Sequence, residues 1–119
     1  MTGFLLDEHL PNSWRREILR HTPGLSVWSV GDPDAPPRGS EDPELLAWCE
    51  SNESVLVTNN RSSMPAHLAA FVVQVRHVPG ILNIDPTMSV KDLAEELRLI
   101  EGAALPNELQ DQIRYLPIS

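Results

Sequence analysis

Five short apolar runs separated by stretches of helical period leave this chain few architectures to choose from. The runs are about Gly3 to Leu6, Leu25 to Val30, Val55 to Thr58, Gly80 to Ile84 and Ile113 to Leu116. Strands that alternate with helices in this way form a mainly parallel sheet covered by helices, an α/β class.

The intervening segments carry recognisable helix signals. Pro11-Asn12-Ser13 opens the first helix, with Trp14, Ile18 and Leu19 near helical spacing and His21 closing it before Pro23-Gly24. Asp42-Pro43 reads as an N-cap followed by proline at the first helical position, continued by Leu45, Leu46, Trp48 and Cys49. Met64-Pro65 begins a helix to about Val73 whose apolar face is Leu68, Phe71 and Val72. Ser89-Val90-Lys91-Asp92 resembles a capping box, and Val90, Leu93, Leu97 and Ile100 form a clear stripe after it. Gly31 to Ser40, with Pro33, Pro36 and Pro37, is a surface loop because proline withholds the N–H that regular structure needs.

A length of 119 residues fits one domain, residues 1–119, with a single core. No apolar run approaches the ~18 residues of a spanning helix, and the N-terminus lacks a basic flank leading into an apolar signal core, so the expectation is a soluble, cytoplasmic protein without a membrane partner. The lone Cys49 has no disulfide or zinc partner of its own kind and reads as a small core residue. A formal charge of -8 argues against a protein that coats nucleic acid nonspecifically. It leaves room for a metal-dependent enzyme, whose site concentrates acid that cations offset, and equally for a basic partner.

Three places offer oxygen ligands at strand or helix ends that a parallel sheet gathers on one side. They are Asp7-Glu8 after the first strand, Glu41-Asp42 at a helix start, and Asn59-Asn60 after the third strand. Each has a plainer reading: solvation of a strand end, helix capping, and a polar turn, respectively. Arg15, Arg16 and Arg20 could contact phosphates but fit an ordinary solvated helix face better. His9 and His67, the histidines near the proposed site, could move a proton but fit surface or structural roles better. Arg61 can grip a phosphate or pair with Asp7 in place of a metal.

The order of the three motifs is more specific than any one of them. Leu5-Leu6-Asp7-Glu8-His9-Leu10-Pro11, then Gly39-Ser40-Glu41-Asp42-Pro43-Glu44-Leu45-Leu46-Ala47-Trp48, then Val55-Leu56-Val57-Thr58-Asn59-Asn60 resembles the PIN-like domains of short prokaryotic proteins. Pro79-Gly80-Ile81, Leu97-Arg98-Leu99-Ile100 and Arg114-Tyr115-Leu116-Pro117 extend the resemblance over nearly the whole chain. It implies a three-layer α/β/α, Rossmann-like fold and an endoribonuclease dependent on Mg²⁺ or Mn²⁺. VapC-type toxins of toxin-antitoxin pairs are the best-known small members, so it further implies an RNA substrate, a cognate antitoxin-like protein and a homodimer.

Carried over residue by residue, Asp7 and Asp42 match the first and second metal carboxylates, with Glu8, Glu41, Asn59 and Arg61 as neighbours. Where relatives place a third acid, this chain has Asn60, followed by Arg61 and Ser62. An amide oxygen can coordinate a hard cation but brings no charge, which weakens the field for a second ion. Two expectations follow. One is a single-cation ribonuclease using Asp7 and Asp42 with Asn60 assisting; the other is a degenerate PIN-like module that keeps the fold and acts through a protein partner.

Overall fold

The computed structural model describes residues 3–60, 62–103 and 107–117. Five parallel strands form one sheet: β1 (Gly3–Leu6), β2 (Val27–Ser29), β3 (Ser54–Thr58), β4 (Ile81–Ile84) and β5 (Ile113–Leu116), in spatial order β2-β1-β3-β4-β5. Four helices connect them: α1 (Trp14–His21), α2 (Asp42–Ser51), α3 (Met64–Val73) and α4 (Val90–Ala103). The expected α/β class with a parallel sheet is what the chain adopts. The second strand, Val27–Ser29, is shorter than its apolar run; Leu25 and Val30 are buried at its ends, and the Val30 N–H still donates to the Leu6 carbonyl of β1 at 3.0 Å.

The two-residue period of the strands divides the core into two layers. Phe4, Leu6, Val55, Val57, Leu82 and Ile84 face α1 and α4, where Ile18, Leu93, Ala94 and Leu97 meet them. Leu5, Leu56 and Ile81 face the other way, onto Leu45, Leu46 and Cys49 of α2 and Met64 and Phe71 of α3. Strands buried on both faces read as continuous apolar runs, which is why Phe4-Leu5-Leu6 and Val55-Leu56-Val57 carry no polar alternation. The sheet therefore sits between two helical layers.

Local details bear on the sequence reading. The stripe on α4 is the core face as expected, and Asp92 donates its N–H to the Ser89 Oγ at 3.1 Å. On α3 the buried positions are Met64 and Phe71 with Leu68 partly covered, whereas Val72 is 41% exposed. Val72 follows the buried Phe71 by one residue, about 100° around the helix, which turns it away from the covered face. Burial at 0% exposure pushes the Cys49 thiol far up, so this cysteine is a core residue. Among the described residues, no helix is long and apolar enough to cross a membrane.

Gly3 shows how tightly β1 and β2 approach. A Cβ at this position would lie 2.6 Å from both the Ser26 carbonyl oxygen and Trp28 Cζ3.

Candidate functional site

From β1 the chain steps outward to β2, then crosses back over β1 to form β3, so the connections after β1 and β3 leave the sheet in opposite directions. Such a switch point opens a crevice beyond the carboxyl ends of the two strands. The face that carries Leu5, Leu56 and Ile81 continues there with Asp7, Thr58 and Asn83, one polar residue on each of three neighbouring strands. All three are buried: Asp7 is 4%, Thr58 0% and Asn83 1% exposed. Burying polar groups costs stability unless each finds partners.

The partners form a relay. Thr58 Oγ1 donates to Asp7 Oδ2 at 2.8 Å and accepts the Asn60 N–H at 3.0 Å. The Asn60 Nδ2 then donates to Asp42 Oδ2 at 2.8 Å and to Ser63 Oγ at 2.7 Å. Asn83 Nδ2 holds the Asn60 carbonyl oxygen at 2.8 Å. Two carboxylates 35 positions apart in the sequence are thus tied into one network by the turn after β3.

Asp42 is free for this because it does not cap its helix. The sequence reading placed the N-cap at Asp42; the structure places it one residue earlier, at Glu41, with extended backbone (φ -79°, ψ 161°). Glu44 three residues on accepts the Glu41 N–H at 3.3 Å. A glutamate at the capping-box position therefore settles the register and makes Asp42 the first helical residue, whose carboxylate turns toward Asn60. Ser63 Oγ reaches the same carboxylate oxygen at 3.4 Å and His67 Nε2 at 3.5 Å.

The remaining candidates separate by position. Glu8 accepts the Gly39 N–H at 3.0 Å, fastening the proline-rich loop that delivers Ser40, Glu41 and Asp42 to the site. Gly39 has φ +87°, a conformation that side-chain-bearing residues rarely adopt, so glycine is what allows that clasp. Glu41 spends its backbone on the cap and lines, with Ser40, Asp42, Pro43 and His67, an open depression of about 340 Å³. Asn59 is half-buried in the turn, and no hydrogen bond joins it to Asp7 or Asp42 among the described residues. Arg61 lies outside the described residues. Arg15 and Arg20 belong elsewhere: Arg15 Nε donates to the Val27 carbonyl at 2.7 Å and faces Asp32 at 3.3 Å, while Arg20 pairs with Glu17.

Sequence reasoning missed the roles of Thr58, Ser63 and Asn83, and read His67 as a surface or structural residue. A signal existed for Thr58, which shares the strand period of Leu56 and so had to face the same crevice as Asp7. His67, one helical turn beyond Ser63, is placed near the site by the sequence, and the start of α3 beside Asp42 brings its Nε2 to 3.5 Å from that carboxylate.

Asn60 enters the site through its amide nitrogen. Its Oδ1 accepts the Ser63 N–H at 3.2 Å and the Ser62 hydroxyl at 3.4 Å, so the oxygen is committed to starting α3. Orientation is unambiguous, because a backbone N–H on one side and a carboxylate on the other fix which amide atom faces which. Asn60 thus positions Asp42 rather than offering it a fellow ligand oxygen.

Asp42 lines the open depression and Asp7 lies buried at the other end of the relay, neither paired to a Lys or Arg among the described residues, and carboxylate oxygens of this kind are what a hard cation takes. No group of three or more His, Cys, Asp or Glu side chains able to hold a metal occurs among the described residues. The donor set fits a single cation better than a pair, since two ions ~3.5–4 Å apart call for more anionic oxygen. Compared with protein-family models, with curated proteins and with solved structures, the chain gave no match.

Proposed function

We propose that the protein is a PIN-like domain acting as a Mg²⁺- or Mn²⁺-dependent endoribonuclease with a one-cation site, Asp7 and Asp42 being the residues that would hold the ion. The observation that carries this reading is the relay Asp7–Thr58–Asn60–Asp42 at the switch point of the sheet. Hydrogen bonds that hold two carboxylates in place ahead of any ligand reduce the ordering cost of binding one. The motif order in the sequence supplies the rest, including the toxin-like role, the antitoxin-like partner and the homodimer.

A bound hard cation supplies Lewis acidity toward a phosphate oxygen and lowers the pKa of a water that can attack it. The chain's own part is to aim and to hold. Thr58 keeps one oxygen of Asp7 occupied, so that carboxylate has a single preferred direction for the other. Asn60 and Ser63 steer Asp42 from the opposite side, and His67 stands on the open flank where a substrate phosphate approaches. Burial of Asp7 at the base of the crevice limits competing solvent there.

The second reading, a PIN-like module that binds a protein partner and performs no chemistry, is favoured by one specific feature. Asn60 donates to Asp42 where a third carboxylate would have shared a cation with it.

Cleavage of a mixed RNA substrate by purified protein with Mn²⁺, beside Asp7→Asn and an EDTA control, tests both. Activity that disappears in Asp7→Asn and in EDTA, with an unchanged melting curve, is the result expected. Silence of the wild type together with no saturable Mn²⁺ binding by calorimetry would hand the case to the second reading.

A further inference from the structure

On the opposite side of the sheet from the candidate site, α4 and the edge strand β5 leave a groove that nothing described fills. One part, about 380 Å³, is lined by the apolar side chains Leu82, Ile100, Leu109 and Leu116 among others. A second part, about 350 Å³, shares Leu99 and Glu96 with it and extends toward Met88 at the start of α4. The groove exists because β5 is the last strand. Arg114 and Leu116 pair with Leu82 and Ile84 and so face the α1–α4 layer, and among the described residues no further element covers that edge.

Charge distinguishes this groove from an ordinary surface hollow. Asp92, Glu95, Glu96 and Glu108 stand around it, and none of the four takes part in an ion pair among the described residues. The one cation among the described residues of the lining, Arg114, donates its Nε to the Gln112 Oε1 at 2.8 Å. Leu99, common to both parts, is 55% exposed in the midst of this acid. A large apolar side chain held in water beside unpaired carboxylates matches a partner that brings apolar and cationic groups together.

We propose that this groove docks an amphipathic helix of a basic partner protein, its apolar side chains entering beneath Leu99 and its Lys or Arg residues facing Asp92, Glu95, Glu96 and Glu108. A second copy meeting this groove with its own is a poor occupant, since Asp92, Glu95, Glu96 and Glu108 of each copy would face like charges across the contact. The proposal is independent of the chemistry assigned to Asp7 and Asp42, which lie on the other face.

Titration of ¹⁵N-labelled protein with a short synthetic helix of leucine and lysine is the direct test, with a leucine–glutamate helix as control. The expected result is a set of shifts confined to α4 and β5, absent with the control peptide and weakened by salt. Leu99→Ser and the pair Glu95→Gln with Glu96→Gln should each weaken binding about tenfold while leaving the melting temperature and any Mn²⁺-dependent activity unchanged. These positions are at the surface, so the variants fold. Shifts spread over the whole acidic surface, or binding indifferent to both substitutions, would overturn the proposal. So would sedimentation showing a homodimer that Leu99→Ser dissociates, because the groove would then belong to a second copy.

Discussion

Replacing Asn60 by aspartate sets a carboxylate where the amide nitrogen now lies 2.8 Å from Asp42 Oδ2. A hydrogen bond to a charged acceptor is worth about 1.5–3 kcal/mol, and it is lost. In its place two like charges ~3 Å apart repel by about 1.4 kcal/mol at the dielectric of water and about 5.5 kcal/mol at an effective dielectric of 20. The Asp42 side chain is 20% exposed beside an open depression, so the repulsion belongs near the lower end, roughly 1.5–3 kcal/mol. A negative charge at the start of α3 returns about 0.3–1 kcal/mol. The net expectation in EDTA is a loss of about 4 kcal/mol, or roughly 15 °C in melting temperature for a chain of this length.

Asn60→Ala removes the hydrogen bonds without adding charge and should lose only about half as much. Exchanging the partners, Asp42→Asn with Asn60→Asp, restores a donor facing a carboxylate and should recover most of the deficit. Mn²⁺ should stabilise Asn60→Asp more than the wild type, since a cation at a hundredfold excess over its Kd adds about 2.7 kcal/mol to whichever form binds it. Thermal melts of the four proteins with EDTA and with Mn²⁺ decide the matter. If Asn60→Asp melts with the wild type in EDTA, or gains no more from Mn²⁺ than the wild type does, Asn60 and Asp42 do not face each other at a cation site and the reasoning fails.

Two further expectations concern the rest of the fold. Glu50 accepts the His77 N–H at 3.0 Å and the Arg76 guanidinium at 2.9 Å, and these bonds, the backbone one foremost, hold its carboxyl below the usual carboxylate range. Because the folded-state pKa is depressed, the stabilisation is complete above the unfolded value near ~4.3 and fades as pH falls through the folded one. Glu50→Gln should therefore be less stable than the wild type at neutral pH and equal to it in acid; urea midpoints showing a pH-independent gap would refute this. Gly3→Ala should cost about 1–3 kcal/mol, read as a lower urea midpoint with unchanged slope, since its Cβ would sit 2.6 Å from a backbone oxygen and from the Trp28 ring.

The sequence by itself determined the class of fold and which residues would gather at the candidate site. Runs such as Val55-Leu56-Val57 have no polar alternation, which only a strand covered on both faces tolerates, and the α4 stripe of Val90, Leu93, Leu97 and Ile100 carries its own periodicity. Both signals are local, so they survive without knowledge of the partners. Topology then required the residues after β1 and β3 to come together, because strand ends of a parallel sheet share one side.

What the tertiary structure alone decided is which atom of each residue faces which neighbour. In one dimension Asp42 reads as the cap, and the bond from the Glu41 N–H to Glu44 moves the cap one residue back to Glu41. Asn60 offers either an oxygen or a nitrogen, and the Ser63 N–H on one side and Asp42 on the other choose the nitrogen for the site. Thr58, Asn83 and His67 join the network through contacts spanning 51, 23 and 25 positions of sequence. Hydrogen bonds act over about 3 Å and depend on direction, so their pattern follows from packing that no local window contains.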